Sequence, residues 1–97
     1  MAYDPGAIDA TLAAALGDQP ELIAELRFAF MESAARALDG LEGAEDAAAW
    51  RSAANRLKGL AASFGAIRLM AIAGEAADAD AGDAAMIRRL RRAVERL

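Results

Sequence analysis

Cysteine and histidine are both missing from this chain of 97 residues. The first absence excludes disulfides, thiolate catalysis and cysteine-held metal centres. The second removes the commonest metal ligand and the side chain that ordinarily titrates nearest neutral pH. Proline is scarce, at Pro5 and Pro20 only, so little interrupts a helix. Aromatic residues make up 5% of the chain, so Tyr3, Phe28, Phe30, Trp50 and Phe64 carry much of the shape information. No stretch approaches the roughly 20 apolar, uncharged residues of a membrane span. Met1-Ala2-Tyr3-Asp4-Pro5 lacks the basic start and apolar run of an export signal, and the chain is expected to be cytoplasmic and off the membrane. The net charge of −4 supplies no general attraction to nucleic acid.

What is present is mostly helix former. Hydrophobic residues are 57% of the chain, and much of that is alanine, which favours helix and buries little area. The length suits one domain over residues 1–97, built from close-packed helices with thin side-chain layers. Asp4-Pro5 starts a short helix in which Ile8, Leu12 and Leu16 recur every fourth residue, closed by Gly17. Asp18 and Glu21, either side of Pro20, have the spacing of a capping box for a second helix reaching about Leu41. Its apolar face is Leu22, Ile23, Leu26, Phe30, Ala34, Ala37 and Leu41; its polar face is Glu25, Glu32, Arg36 and Asp39. Phe28 and Met31 lie at the rim of the apolar arc, where they either pack on a neighbouring helix or form an exposed docking patch.

Gly40, Gly43 and Glu45-Asp46 mark a turn, and a third helix begins near Asp46. A fourth follows Gly65-Ala66 almost without pause, with an apolar face of Ile67, Met70, Ala73, Ala76 and Ala77. It fades through Asp78-Ala79-Asp80-Ala81-Gly82. Asp83 then caps a fifth helix with the core stripe Ile87, Leu90, Val94 and Leu97. There is no strand signal. The expected fold is all-α: an antiparallel up-and-down four-helix bundle with a short extra N-terminal helix. Arg88, Arg89, Arg91, Arg92 and Arg96 form a basic cluster on the last helix, read either as a solvated face balanced by Glu75, Asp78, Asp80 and Asp83 or as a contact for an acidic partner. A nucleic-acid reading lacks aromatic interleaving and a recognition-helix pattern. Glu42, Glu45 and Asp46 surround a turn without a histidine, which suits capping and not a metal site.

The third helix is the informative one. At about 100° per residue, Trp50, Ala53, Leu57, Leu60, Ala61 and Phe64 share a core face. Ala48, Arg51, Ser52, Asn55, Lys58, Gly59 and Ala62 gather on the other side. Gly59 is out of place there, because a mid-helix glycine costs about 1 kcal/mol relative to alanine. Two readings stay open: a partner must approach the helix backbone beside Asn55, or a neighbouring helix of the same chain must. Lys58 follows Asn55 by three residues and, with Arg51 and Arg56, makes either a solubilising surface or an anion-facing patch.

Asn55-Arg56-Leu57-Lys58-Gly59-Leu60-Ala61-Ala62-Ser63-Phe64-Gly65-Ala66 resembles the phosphoryl-acceptor helix of histidine phosphotransfer domains, His-x-Leu-Lys-Gly-Ser-(Ser/Ala)-x-x-x-Gly-Ala, in register and without a gap. Trp50 to Ala54 and the five-helix order extend the resemblance over nearly the whole chain. It implies docking to a response-regulator receiver domain or a histidine kinase, with Lys58 neutralising phosphate and Gly59 leaving room for the receiver's active site. It also implies a departure. Asn55 stands where the family carries its acceptor histidine, and Leu60 where a small polar residue is common. A carboxamide nitrogen is conjugated with its carbonyl and is a poor nucleophile, so the chain is not expected to act as a phosphotransfer enzyme or to need a cofactor or metal.

The resemblance therefore points to a degenerate, pseudo-phosphotransfer protein, expected to be monomeric, with partner-binding residues Arg51, Ser52, Asn55, Arg56, Lys58, Gly59, Ala62, Phe28 and Met31. Two alternatives stay open. One is an active phosphotransfer protein carrying a deliberate His-to-Asn change at position 55. The other is a helical scaffold or dimerisation module using Phe28 and Met31.

Overall fold

A computed structural model describes residues 6–97. The chain forms α1 (Gly6–Leu16), α2 (Pro20–Glu42), α3 (Ala47–Ser63), α4 (Ile67–Ala77) and α5 (Ala84–Glu95), with no strand among the described residues. The expected start at Asp4-Pro5 lies outside the described residues. Each helix packs on the next in the chain, and α5 also packs on α2, so α2 to α5 close into a ring. The 23 residues of α2 rise about 35 Å at the α-helical pitch, which accounts for most of the 43 Å long dimension.

The core follows from the composition. Large side chains (Ile8, Phe30, Leu38, Leu41, Trp50, Leu57, Leu69, Leu90) alternate with buried alanines at 34, 37, 54, 61, 66, 73, 76 and 93. The alanines let helices approach closely, and the few large groups fill what remains. Phe30 and Phe64 join α2 to the end of α3, with ring centroids 4.8 Å apart and planes tilted by 33°. Trp50 is 1% exposed, and its indole N–H donates to the Ala76 carbonyl at 2.7 Å, which fastens α3 to the last turn of α4. Arg27 joins three elements, donating to Asp9 of α1 at 3.0 Å and to the Leu97 backbone oxygen beyond α5.

Helix ends follow local chemistry, with one correction. Asp46 and Asp83 cap α3 and α5, their carboxylates accepting from Ala49 N at 2.7 Å and Met86 N at 3.1 Å. Gly17 and Gly65 leave α1 and α3 at φ +73° and +72°, a region that favours glycine. The Asp18–Glu21 capping box does not form. The N-cap of α2 is Gln19, which makes no side-chain cap bond and instead donates to Leu16 O at 3.1 Å. Pro20 is the reason: it disfavours helical backbone at the residue before it, so the helix cannot begin at Gln19 with Asp18 as its cap.

Other expectations shift by register. Gly40 lies inside α2, not in a turn, where it faces α3: a Cβ there would meet the Ala53 Cβ at 3.6 Å, an ordinary van der Waals contact. Ile67, expected on the apolar face of α4, is 64% exposed, and Leu69 is buried in its place. Ala66 occupies the core at the start of α4, and Ile67 stands about 200° around the helix from Leu69. In α2, Leu38 joins the buried row, while Leu22, Ile23 and Leu26 are half-buried. In α5 the buried set is Met86, Leu90, Ala93 and Val94, with Ile87 and Leu97 half-buried against it.

Candidate functional site

The outer face of α3 is built by default. The same periodicity that buries Trp50, Ala54, Leu57 and Ala61 turns Arg51, Ser52, Asn55, Arg56, Lys58, Gly59 and Ala62 to solvent, and all seven are exposed. Asn55, Lys58, Gly59 and Ala62 follow at helical neighbour spacing and form one strip. No group of His, Cys, Asp or Glu that could hold a metal ion occurs among the described residues.

Two glycines shape that strip. A Cβ built on Gly59 would meet nothing within 4 Å among the described residues, so no contact among them requires a glycine there. The reading in which Gly59 accommodates a neighbouring helix is thereby removed. The second glycine was not legible in the sequence. Gly74 of α4 lies under the stem of Lys58, whose Cδ and Cε would each be 3.9 Å from a Cβ at that position. Lys58 thus leans from α3 across to α4 beside Asn55, its aliphatic stem covering helix surface while its ammonium stays outside. Only the oddity of a glycine inside α4 could have drawn attention to it. One turn beyond Gly59, the Ser63 hydroxyl donates to the Gly59 carbonyl at 3.0 Å and occupies that acceptor.

The structure separates Phe28 and Met31 from each other. Phe28 is 64% exposed on α2, whereas Met31 is half-buried and packs against the core. The Phe30–Phe64 and Gly40–Ala53 contacts set the α2–α3 register and put Phe28 level with the end of α3, well away from Asn55 along the helix. The acidic turn is divided as well. Asp46 is a cap, and Glu42 pairs with Arg91 of α5.

The model of one family, described as the Hpt domain, matches residues 10–97. The chain belongs to the Hpt domain family. No curated protein and no solved structure matches it. Hpt domains work in phosphorelays, where they interact with response regulators and kinases, and this chain is accordingly a phosphorelay signalling module. Within an Hpt domain the α3 strip gains a meaning that its geometry alone does not carry. Lys58 and Gly59 follow Asn55 by three and four residues on its exposed face, in a chain without any histidine. No helix among the described residues is long and apolar enough to cross a membrane.

Proposed function

We propose that this chain is a docking module without a chemical step: a pseudo-Hpt protein that binds a receiver domain, or the kinase that feeds it, through Asn55, Lys58 and Gly59, and does not accept a phosphoryl group. The observation that carries this reading is the bare, exposed Gly59. A mid-helix glycine costs about 1 kcal/mol relative to alanine, and nothing among the described residues lies within 4 Å of the missing methyl. The natural beneficiary is a partner whose surface comes close to the α3 backbone. Lys58, laid across Gly74, offers that partner an ammonium suited to a carboxylate or phosphate.

The missing chemistry follows from the side chain. Phosphoryl acceptance needs a nucleophilic lone pair, and the Asn55 amide nitrogen has given its own to the carbonyl. The other residues of that face are arginine, lysine, serine, alanine and glycine, none of which is the histidine that the family's chemistry uses. Such a module would compete with a phosphorylatable Hpt protein for the same receiver. The ring of α2 to α5 would serve as an antiparallel, up-and-down bundle with α1 beside it, acting as a monomer in the cytoplasm.

Calorimetry with a panel of receiver domains tests the docking. Gly59→Gln places a long side chain where the backbone is bare, and receiver affinity is expected to fall about tenfold or more. Unchanged affinity would remove the α3 strip as the docking face. Restoring the acceptor tests the alternative of an active protein altered at one position. Asn55→His incubated with a phosphorylated receiver would take up acid-labile label if the rest of the machinery is intact. Absence of transfer, with docking retained, supports a true pseudo-Hpt protein. The dimer reading retains Phe28 as its only exposed anchor of the two residues it invokes, and light scattering at high concentration decides it.

A further inference from the structure

A second surface lies on the other flank of α4. Arg68 and Ile72 of α4, with Arg89, Arg92, Ala93 and Arg96 of α5, line an open groove of about 250 Å³. Ile72 and Ala93, the more buried of the lining residues, give it an apolar floor, and the other four lining residues are arginines. Arg89, Arg92 and Arg96 repeat at three- and four-residue spacing, so they stack along one face of α5 over about 10 Å. Like charges at that spacing oppose helix formation. Glu75 offsets Arg89 alone, through contacts of 3.0 and 3.4 Å. The guanidinium groups of Arg92 and Arg96 have no hydrogen-bond or ion-pair partner among the described residues.

The charge is also segregated. Residues 84–97 hold five arginines and one glutamate in a chain whose net charge is −4, so the remainder is strongly acidic. Arg91, on the opposite side of α5, is taken up by Glu42 and Asp39 of α2. Of the α5 arginines that line the groove, Arg92 and Arg96 are left for an outside anion.

We infer that the α4–α5 groove is a docking site for a short acidic peptide segment of a partner protein, separate from the Asn55 face. Planar guanidinium groups bind carboxylates in bidentate fashion, and the apolar floor keeps water from one side of those contacts. An extended peptide presents alternate side chains about 6.7 Å apart on one face, so two acidic residues separated by one other match the step of about 6 Å from Arg92 to Arg96. The size of the groove and the charge of the molecule select this occupant. A nucleic acid or an anionic membrane is a broad negative surface, which the acidic remainder of the chain repels. The groove lies on the far flank of α4 from Lys58, since Ile72 and Gly74 stand about 200° apart around that helix. A peptide held there leaves the α3 strip free for a second partner.

The probe is a fluorescein-labelled peptide of about eight residues alternating glutamate and alanine, long enough when extended to cross the groove. It is titrated by anisotropy into the full chain at low salt, with the glutamine–alanine peptide as control. Binding is expected for the glutamate peptide only, weakened about tenfold by Arg92→Ala with Arg96→Ala. Arg88→Ala, outside the groove lining, should leave it unchanged. Amide shifts should move at Ile72 and Ala93 and stay fixed at Asn55. Circular dichroism of the double variant, which changes exposed side chains only, checks that the helices remain. Equal binding of the glutamine peptide, equal loss in Arg88→Ala, or shifts centred on α3 would each overturn the inference. So would no binding at about 1 mM peptide, or binding of single-stranded DNA or phosphatidylserine vesicles without the peptide.

Discussion

Adding one methyl group at Gly65 strikes the joint where α1 meets the α3–α4 turn. Gly65 sits at φ +72°, and its missing Cβ would fall well inside contact with Thr11 Oγ1, with Thr11 Cβ at 3.1 Å and Cγ2 at 3.4 Å. Gly65→Ala therefore meets two penalties. Left-handed backbone costs a non-glycine residue about 1–2 kcal/mol. Overpacking against a β-branched side chain adds about 1–3 kcal/mol, and stiffening of the unfolded chain returns about 0.4–1 kcal/mol. The net expectation is a loss of about 2–4 kcal/mol, or a Tm lower by roughly 10–25 °C for a domain of this size. Urea unfolding followed by fluorescence reads it out, because Trp50 is the single tryptophan and is buried. Gly17 and Gly82 are internal controls: their φ values are +73° and +84°, yet a Cβ at either would meet nothing within 4 Å. Alanine at those positions should cost only the backbone share, about 1 kcal/mol. In a double-mutant cycle, Thr11→Ala should recover part of the Gly65→Ala loss, with a coupling of about 1 kcal/mol. If Gly65→Ala costs no more than Gly17→Ala, α1 does not pack on this turn as described.

Trp50→Phe should lose about 2 kcal/mol, from one net hydrogen bond and a small cavity; the Ala76 carbonyl keeps a second donor, Ala79 N at 3.0 Å, which limits the loss, and thermal melts by circular dichroism measure it. Asp46→Ala and Asp83→Ala each remove a side-chain cap and should each cost about 1 kcal/mol, whereas Asp18→Ala, which caps nothing, should be near neutral in the same melts. The Arg89 guanidinium, by hydrogen bond and charge, holds the Glu75 carboxyl below its ordinary value of 4.5. With the folded value below the unfolded one, the stabilisation is present above that ordinary value and is lost as pH falls through the folded one. An NMR titration of Glu75 should show a midpoint that returns upward in Arg89→Ala, and because the pair is exposed, added salt should shrink the difference.

Local chemistry was legible wherever one residue decides the outcome within a turn of itself. Asp46 and Asp83 cap as their positions suggest, Gly17 and Gly65 end their helices, and the wheel of α3 separates Trp50 and Leu57 from Asn55 and Lys58. Reading failed where two local rules competed or where a neighbouring helix voted. Asp18 and Glu21 have capping-box spacing, but Pro20 constrains the residue between them, and the proline rule prevailed. Ile67 is more apolar than Ala66, yet Ala66 fits the close core at the start of α4 and rotates Ile67 outward. Phe28 and Met31 look alike on a wheel, and only the packing of α2 puts Met31 against the core and leaves Phe28 in solvent.

The site divides along the same line. That the chain is helical, that Asn55, Lys58 and Gly59 share one face, and that no histidine is present anywhere could all be read from the order of residues. These depend on propensity, on the 3.6-residue period and on composition, none of which needs a second element. What stands near each glycine depends on how the helices pack. Gly40 faces Ala53 at ordinary contact distance, Gly65 admits Thr11, Gly74 lies under Lys58, and Gly59 meets nothing among the described residues. A glycine records either a left-handed backbone angle, as at Gly17 and Gly82, or a surface that comes close. Which surface does so is a relation between helices, and it is set by their packing and not by the residues on either side.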